Sequence, residues 1–410
     1  MNNESHYRVY PYRWIVLGVF MFTNLAIQIL WISYAPITGL AAAFYGVNDL
    51  QIGLLSMSFM IAFIPLSIPS SWAIDTFGFR KSVGIGAVMM ALFGVLRGFA
   101  GGNYTLVLIT TFGLAASQPL LLNSWTTVSA KWFPENQGAT AVGLVTLANL
   151  VGTAIGMVVT PILVESGTAI NRVQLVYGII AAVSAVLFLI FAREKPKSAP
   201  SALATQTRAL MLEGLKNAFS SKPFWYTLAV AFVGLGIFNG VSTWVENIIR
   251  PRGFSPTTAG TLGAVMLVGG LFGAVIIPAI SDKQKKRQRF LYIAIIGAIP
   301  GLLGITFAPT LTLLMFSAFV MGFFLVSALP VAMQYAAEIT VPTPEGTSNG
   351  LIQLFGQGAV VFVYVMEAMK TKSGSFTPSL LLAVLLLILT LLFISQMKDV
   401  KLRPEPESLF

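Results

Sequence analysis

The chain has 410 residues, of which 56% are hydrophobic and only 10% are charged, and its mean hydropathy is +0.81. Apolar side chains far exceed what a water-soluble core requires, which excludes a soluble globular protein and indicates a polytopic membrane protein. The chain has no cysteine, and its one histidine, His6, lies in the polar N-terminal stretch. We therefore expect no disulfide, no Cys/His metal site, no cofactor and no histidine-based catalysis.

Apolar runs of about 20 residues, enough to cross a bilayer as a helix, recur along almost the whole chain. None alternates with the period of a barrel strand, so the predicted fold is an all-α polytopic membrane protein. The 37 glycines and 21 prolines are compatible with transmembrane helices, where they allow close packing and kinks. Twelve helices are predicted, over residues 14–43, 50–74, 80–100, 104–130, 138–164, 172–193, 223–249, 256–281, 288–308, 310–338, 346–369 and 376–397.

Lysine and arginine are distributed unevenly between the two sides of the predicted bundle. The side that holds the N-terminus receives 19 of the 25 basic residues, the other side receives five, and Arg97 lies within the third helix. Loops rich in these residues remain in the cytoplasm. We therefore expect a multi-pass protein of the plasma membrane or inner membrane with both termini cytoplasmic. The net charge of +10 then reflects topology, and no nucleic-acid partner is expected.

The first helix carries polar and aromatic residues toward its outer end. The leader MNNESHYRVYPYR is polar, and the apolar run after it is too long for a signal peptide, so we expect this helix to be retained. In IQILWISYAP, Gln28, Trp31 and Tyr34 are spaced by three residues and form one stripe. Trp31 and Tyr34 are candidate substrate contacts; alternatively, Trp31 belongs to the aromatic belt at the membrane surface.

The loop after the second helix reads WAIDTFGFRKS, with Asp75 at a helix end and Arg80 and Lys81 close behind. Such a charge network can hold an inner gate closed; alternatively, it is a solvated loop that only sets topology. WAIDTFGFRK resembles the loop motif after helix 2 of the major facilitator superfamily, with Trp72 or Ala73 where that motif has a glycine. The resemblance implies a major facilitator fold, with 12 transmembrane helices in two pseudo-symmetric six-helix bundles.

The longest polar stretch divides six predicted helices from six. The expected organisation is an N-terminal six-helix bundle over residues 1–193, a cytoplasmic linker over 194–222 and a C-terminal six-helix bundle over 223–410. If the halves are repeats, features should recur at one offset. Asp282, in PAISDKQKKR, lies 207 residues after Asp75 and is a second candidate gating residue, and Gly143 and Gly350 are also 207 residues apart.

The seventh helix contains GIFNGVSTWVEN. Adding 207 to Trp31 gives Phe238, the neighbour of Asn239, which makes Asn239 a candidate contact at a matching depth. Trp244, nearer the outer surface, is typical of a belt tryptophan. An aromatic face attracts an ammonium group, by about 2 kcal/mol or more when the group is desolvated. With no deep lysine or arginine recognised, these rings and amides favour a neutral or cationic solute.

The eleventh helix follows the stretch EITVPTPEGTSNGLIQLFGQ and brings amides into the membrane. Gln353 and Gln357 lie on one face, and Gln357 should be roughly 17 Å deep at 1.5 Å per residue. A buried amide must find a partner or border a cavity. The repeat mate of Gln357 is Leu150, next to Asn149 on the fifth helix. Asn149, Gln353 and Gln357 are therefore candidate contacts; alternatively, they hold helices together.

Several stretches resemble the feline leukaemia virus subgroup C receptor-related family, whose members are facilitators linked to choline, ethanolamine and haem transport. They include YRWIVLGVFMFTN, WISYAPITGLAAAFYGV, SQPLLLNSWTTVSAKWF, GVSTWVENII and AAEITVPTPEGTSNGL. The resemblance implies that Trp31 and Gln357 occupy the positions of the family's helix-1 tryptophan and helix-11 glutamine at the choline site. Leu150 and Asn239 stand where the family has a glutamine and a tyrosine.

The carboxylates lie almost entirely in loops, tails or helix ends, whereas driven carriers usually keep an acid inside the membrane. We therefore predict facilitated diffusion of a small organic solute, such as a choline-like amino alcohol or other organic cation, by a monomer in the bilayer.

The main alternative is a proton-coupled symporter or exporter of a small metabolite or monocarboxylate, with Glu246 as the coupling residue or as an attractor of cations. Arg97 could pair with Glu246 or with backbone carbonyls. A non-transporting receptor and a membrane enzyme are further alternatives, the latter without a visible catalytic cluster.

Overall fold

The computed structural model describes residues 9–198, 200, 211–340 and 345–397, and in this part of the chain every regular element is helical. The α-helices are α1 Arg13–Ile32, α2 Thr38–Tyr45, α3 Asp49–Phe77, α4 Phe79–Phe99, α5 Tyr104–Leu122, α6 Trp125–Trp132, α7 Glu135–Glu165, α8 Ile170–Phe191, α9 Met211–Ser220, α10 Lys222–Thr243, α11 Val245–Ile249, α12 Pro256–Gln284, α13 Arg287–Phe307, α14 Leu311–Ile339, α15 Glu345–Gly358, α16 Val360–Ala368 and α17 Thr377–Ser395.

Twelve helical segments of the described chain are long and apolar enough to cross a membrane, which confirms the predicted class and number of spans. Below, spans one to six are called the N-terminal half and spans seven to twelve the C-terminal half. The inner end of the bundle is the end at which α1 begins, and the outer end is the opposite one. Residue 199, residues 201–210 of the predicted linker, residues 341–344 and residues 398–410 lie outside the described residues.

Four spans predicted as continuous helices are in fact interrupted. The breaks follow Ile32, Leu122, Thr243 and Gly358. In the first span, Pro36 has no N–H to donate and disfavours helical geometry at the residue before it, so the chain continues as a short 3-10 helix, Ala35–Ile37. In the eleventh span, Gly356 and Gly358 precede the break, and glycine weakens a helix interior. The break after Thr243 coincides with the end of the seventh span, so the seventh helix is shorter than predicted.

The offset of 207 residues is visible in the backbone. Gly78 has φ +89° at the turn between α3 and α4, and Lys285 has φ +52° at the turn between α12 and α13. The two residues are 207 positions apart and perform the same change of direction. Lys285 is the one non-glycine residue of the described chain with positive φ, a conformation that costs an L-residue about 1–2 kcal/mol. Both turns therefore use a positive φ, although ψ differs, with 165° at Gly78 and 35° at Lys285.

The two halves approach most closely at the outer end. Gly53 on α3 faces the ring of Trp244 in the opposite half, and Gly260 on α12 faces the Met157 carbonyl on α7. A Cβ at either glycine would overlap these atoms, and the two glycines are again 207 residues apart. Near the inner end, Gly143 and Gly350 are exposed and border open space. The described close contacts between the halves therefore lie toward the outer end.

Candidate functional site

Trp31 lies in the last turn of α1, where the first span breaks. Its indole N–H donates a hydrogen bond to the Ser56 carbonyl on α3 at 3.2 Å, and the Ser56 hydroxyl donates to the Trp31 carbonyl at 3.4 Å. The ring packs both against the core of the N-terminal half and against the cluster that joins the two halves. Its side chain remains partly exposed. Trp31 is therefore held by hydrogen bonds at the junction of the two halves.

Tyr34 is placed differently. Its side chain is fully buried, its hydroxyl lies 2.9 Å from that of Tyr45, and the Arg97 guanidinium lies 5.3 Å from its ring centroid. No surface of Tyr34 is left for a solute in this conformation. The stripe of the first helix therefore separates at the break: Trp31 faces the junction of the halves, and Tyr34 packs inside the N-terminal half.

Arg97 is a buried cation next to this site, with 1% of its surface exposed. Its guanidinium donates to the Leu30 carbonyl at 3.0 Å and to Gln174 Oε1 at 2.6 Å. Leu30 lies in the last turn of α1, where carbonyls lack intrahelical donors. Of the two partners left open by the sequence, Arg97 uses the backbone carbonyl and not Glu246. Among the described residues no carboxylate forms an ion pair with it, so its charge is balanced only by dipoles and rings.

The three amide side chains predicted as contacts in the C-terminal half are unpaired in the described chain. In the described part of the chain, Asn239, Gln353 and Gln357 make no side-chain hydrogen bond; Asn239 is 8% exposed, and both glutamines are partly exposed. Gln357 lies one residue before the end of α15, so the break of the eleventh span follows it directly. An unpaired amide in a membrane interior costs free energy unless water or a solute satisfies it. These three amides can therefore serve a ligand.

In the N-terminal half the amides of Asn149 and Gln28 each have a buried oxygen without a hydrogen-bond donor in the described chain. The Asn149 Nδ2 group donates to the Val145 carbonyl at 3.2 Å, and its Oδ1 atom is buried without a donor. Gln28 Oε1 is likewise buried without a donor. Gly152 packs against Leu25 of the parallel helix α1, which sets the register of α7. By that register Asn149 lies about nine residues, or ~13 Å, deeper toward the inner end than Trp31.

The same reasoning places the C-terminal residues. Gly236 on α10 packs against Ala359, so Asn239 lies about five residues, or ~7 Å, nearer the outer end than Gln357. The predicted contacts therefore form two levels. Trp31 and Asn239 belong to the outer level, close to the helix breaks of the first and seventh spans. Asn149, Gln353 and Gln357 belong to the inner level, on facing helices whose inner halves border open space.

Glu246 lies outside the predicted site, at the closed outer end. Its carboxylate accepts a hydrogen bond from the Gly39 backbone N–H at 3.2 Å and pairs with Arg250 at 3.5 Å. It follows Thr243, where the seventh span ends, and burial raises its pKa above the ordinary value of 4.5, while Arg250 and the Gly39 N–H oppose that shift. Arg250 also pairs with Asp49 of the other half. Glu246 thus helps to join the halves.

This outer charge cluster contains five residues: Asp49, Glu246, Arg250, Glu367 and Lys370. Only Glu246 was singled out from the sequence. The available signal was that Arg250 and Lys370 are among the few basic residues of the outer loops and stand close to helix ends that carry acids. Pairing across the two halves could not be read from the sequence, because it depends on the tertiary arrangement.

At the inner end the predicted gating residues take separate positions. Asp282 pairs with Arg287, which also pairs with Glu338 at 2.9 Å, all within the C-terminal half. In the N-terminal half Glu194 lies at the turn that follows α3, near whose end Asp75 is exposed. Glu194 accepts hydrogen bonds from the backbone N–H groups of Phe79 and Arg80 at the start of α4 and pairs with Lys131.

The offset of 207 relates these two inner clusters. Subtracting 207 takes Arg287 to Arg80 and Glu338 to Lys131. The position of Glu338, acidic in the C-terminal half, is therefore basic in the N-terminal half. Glu194 supplies the missing carboxylate in the N-terminal half. The Arg80 guanidinium donates to the Leu189 carbonyl at 3.3 Å, and Lys81 is exposed. Glu194 was not singled out from the sequence, although the offset applied to Glu338 would have shown that an acid was lacking.

The sequence profile of the Major Facilitator Superfamily matches residues 16–364 and, in a second match, residues 251–409. The chain belongs to the Major Facilitator Superfamily. It is therefore a membrane transporter with 12 transmembrane helices and not an enzyme, as the sequence predicted.

Relatives of this Major Facilitator protein include solute carrier family 49 member A3 of Danio rerio, 29% identical over 396 residues that cover 91% of this chain and 82% of the relative. The choline/ethanolamine transporter FLVCR2 of Rattus norvegicus is 29% identical over 408 residues, covering 93% and 74%. The choline/ethanolamine transporter FLVCR1 of Felis catus is 29% identical over 415 residues, covering 94% and 73%. The resemblance to this family is confirmed.

Solved structures agree on the fold. A bacterial homologue of the human lysosomal transporter Spinster, in an inward-facing and unoccupied conformation, has a TM-score of 0.72 at 17% identity and covers 94% of this chain and 97% of its own. The Escherichia coli fucose:proton symporter FucP has a TM-score of 0.65 at 15% identity, covering 95% and 98%. At these identities the likeness concerns the Major Facilitator fold alone.

Proposed function

We propose that this transporter moves a small organic solute, most favourably a choline-like amino alcohol or another organic cation, by facilitated diffusion. The observation that carries the proposal is the set of unpaired amides: Asn239 lies at the outer level with Trp31, and Gln353 and Gln357 lie at the inner level in the last turns of α15. An indole face attracts an ammonium group, and the free amides can bind its hydroxyl or amino groups. The choline/ethanolamine transporters among the relatives support this substrate class.

Movement would follow from alternating access. In the structure the outer end is closed by contacts between the halves, and Gly143 and Gly350 border open space near the inner end. Opening outward requires Asp49 to separate from Arg250 and Lys370, and Trp244 to leave Gly53. We propose that the inner clusters around Asp75, Arg80, Lys81 and Asp282 then help to close the inside.

The proposal places the protein in the plasma or inner membrane as a monomer, with the inner end in the cytoplasm, because the basic residues are concentrated at that end. The bundles would comprise residues 1–193 and 223–410, with the linker 194–222 between them. The chain lacks cysteine, so single cysteines can be introduced at Lys285 and Ser373 and labelled from either side. Labelling of Lys285→Cys from outside would refute the orientation.

Substrate identity is tested by calorimetric titration of the purified protein with choline, ethanolamine, betaine, carboxylates and neutral metabolites. We expect an ammonium compound to bind, and Trp31→Ala or Gln357→Ala to weaken binding by about tenfold, the loss of one good polar or cation–π contact. Gln396→Ala, which changes an exposed glutamine away from the site, is the matched control and should bind as the parent does. Binding of a carboxylate or neutral metabolite alone would contradict the cation proposal.

A second candidate is a proton-coupled carrier of a small metabolite or monocarboxylate. Two observations favour it: the side chain of Glu246 is only 4% exposed, and Arg97 is a buried cation without a carboxylate partner that contacts the residue next to Trp31. Uptake that requires an inward proton gradient, and that Glu246→Gln uncouples from it, would establish this candidate. Uptake that is unaffected by the gradient in both proteins would establish facilitated diffusion.

A further inference from the structure

A groove of about 520 Å³ lies at the outer end between the two halves. Asn48, Asp49 and Leu50, at the start of α3, form its wall in the N-terminal half. The opposite wall comes from the end of α16 and the residues after it, Tyr364, Glu367, Ala368 and Lys370. Asp49 and Lys370 face each other across it at 3.5 Å. A ligand in this groove would contact both halves. The groove is separate from the proposed solute site near Trp31 and Gln357.

The charges around the groove are not balanced. Within the outer charge cluster three carboxylates meet two basic side chains. Glu367 Oε1 pairs with Lys370, but Glu367 Oε2 is buried and has no donor in the described part of the chain. Asp49 already shares its carboxylate between Arg250 and Lys370. The groove therefore lacks one cationic hydrogen-bond donor near Glu367.

The groove is accessible from the bilayer. Val361 and Tyr364, one turn apart on α16, are 62% and 52% exposed within the eleventh span. An apolar residue so exposed inside a span faces lipid, and a tyrosine one turn nearer the end of the span is typical of the headgroup level. Tyr364 is also a wall of the groove. A ligand can therefore enter sideways from the leaflet at the outer end.

We propose that this groove binds the headgroup of a phospholipid that carries a primary ammonium. Its N–H groups would donate to Glu367 Oε2 and Asp49, and its phosphate would meet Lys370. A quaternary ammonium has no N–H to donate and would leave Glu367 Oε2 unpaired. Because the bound headgroup touches both halves only while the outer end is closed, it would favour the closed conformation.

The test uses the full chain in nanodiscs that contain phosphatidylethanolamine, phosphatidylcholine or phosphatidylglycerol in turn, with native mass spectrometry to count retained lipids. We expect phosphatidylethanolamine to be retained about tenfold better than phosphatidylcholine. Glu367→Gln and Lys370→Gln should each abolish that preference, and Lys372→Gln, an exposed lysine two residues further on, should preserve it. Equal retention of the lipids, or an unchanged preference in both groove variants, would overturn the proposal.

Two competition experiments distinguish a lipid headgroup from a soluble ammonium compound as the ligand. Glycerophosphoethanolamine has the headgroup without acyl chains, and ethanolamine lacks the phosphate as well. We expect both to compete weakly, because the acyl chains hold the headgroup at the groove. Displacement of phosphatidylethanolamine at equal concentrations of either would show a soluble ligand and overturn the lipid assignment. Solute binding at Trp31 and Gln357 is measured independently, so failure of one proposal does not decide the other.

Discussion

Arg250 and Asp49 form an ion pair that joins the two halves of the transporter at its outer end. Arg250 is the hub of this contact, because it also pairs with Glu246 of its own half at 3.5 Å. The Arg250 side chain is 40% exposed, so solvent screens the interaction, and we assign it about 0.5–1 kcal/mol. Such a pair can bias a two-state equilibrium but cannot lock it.

We expect Asp49→Asn to raise the ratio of outward-open to outward-closed molecules by about two- to fivefold, the equivalent of that energy. Spin labels on cysteines introduced at Phe44 and Ser373, both exposed, report the width of the outer end by pulsed electron resonance. Lys372→Gln changes an exposed lysine of the outer loop that lies outside the charge cluster and should leave this distance distribution unchanged. Identical distributions in Asp49→Asn and the parent would show that the pair does not bias the gate.

Close backbone approach at Gly53 should be required for outer closure. A Cβ at this position would overlap the ring of Trp244, whose side chain is fully buried and fixed by a hydrogen bond to the Val363 carbonyl at 2.9 Å. Overpacking of this kind costs typically 1–3 kcal/mol. Gly53→Ala should therefore shift the same spin-label distances toward the open form by about fivefold or more. Gly143→Ala, where the added methyl meets open space, is the matched control; an equal effect of the two changes would contradict this role.

The left-handed backbone of Lys285 at the end of α12 makes a prediction about stability. Glycine adopts this conformation without the steric penalty of a side chain, so Lys285→Gly should stabilise the protein by about 0.5–1 kcal/mol. The measurement is the thermal unfolding midpoint in detergent. Lys283→Gly, two residues earlier inside α12, should lower the midpoint, because glycine weakens a helix interior. A lower midpoint for Lys285→Gly would show that the positive φ carries no strain.

Closure of the outer end should depend on pH through Glu246. Burial raises its pKa in the closed form above 4.5, against the attraction of Arg250 and the Gly39 N–H, and the Asp49 charge adds to the rise. Hydration in an open form would return the pKa toward its ordinary value. The protonation contribution to closure is therefore fully present below 4.5 and is lost as the pH rises through the raised pKa.

We therefore expect the closed fraction, read from the same spin labels, to increase as the pH falls from about 8 to about 5. Glu246→Gln, which carries no titratable group, should abolish most of this increase. Asp282→Asn, at the inner end, should retain it. A pH dependence that persists in full in Glu246→Gln would assign the titration to another group.

The architecture was predictable from the sequence because hydrophobic length and loop charge are local properties. Twelve spans followed from apolar runs, and the offset of 207 between Asp75 and Asp282 indicated the repeat. The helix breaks were missed, because composition alone does not show that Pro36 interrupts the first span. Tyr34 was predicted with Trp31 because both lie on one helical stripe, and the break turns Tyr34 into the N-terminal half.

The contacts between distant charges could not be derived in the same way. Arg250 meets Asp49 only because the seventh span approaches the start of the second, 201 residues away. Glu194 accepts a hydrogen bond from the Arg80 backbone N–H at the start of α4, 114 residues away, and this contact was not predicted. Such pairs depend on how the spans pack, which periodicity and composition do not determine.

The most direct test of the account is uptake of labelled ethanolamine and choline into proteoliposomes that contain the purified protein. We predict saturable uptake down a concentration gradient, without a proton gradient, and a decrease of about tenfold in apparent affinity in Gln357→Ala but not in Gln396→Ala. Absence of uptake for every ammonium compound that binds, or uptake that Gln357→Ala leaves unchanged, would contradict the claim that this chain carries organic cations through the amides of its eleventh span.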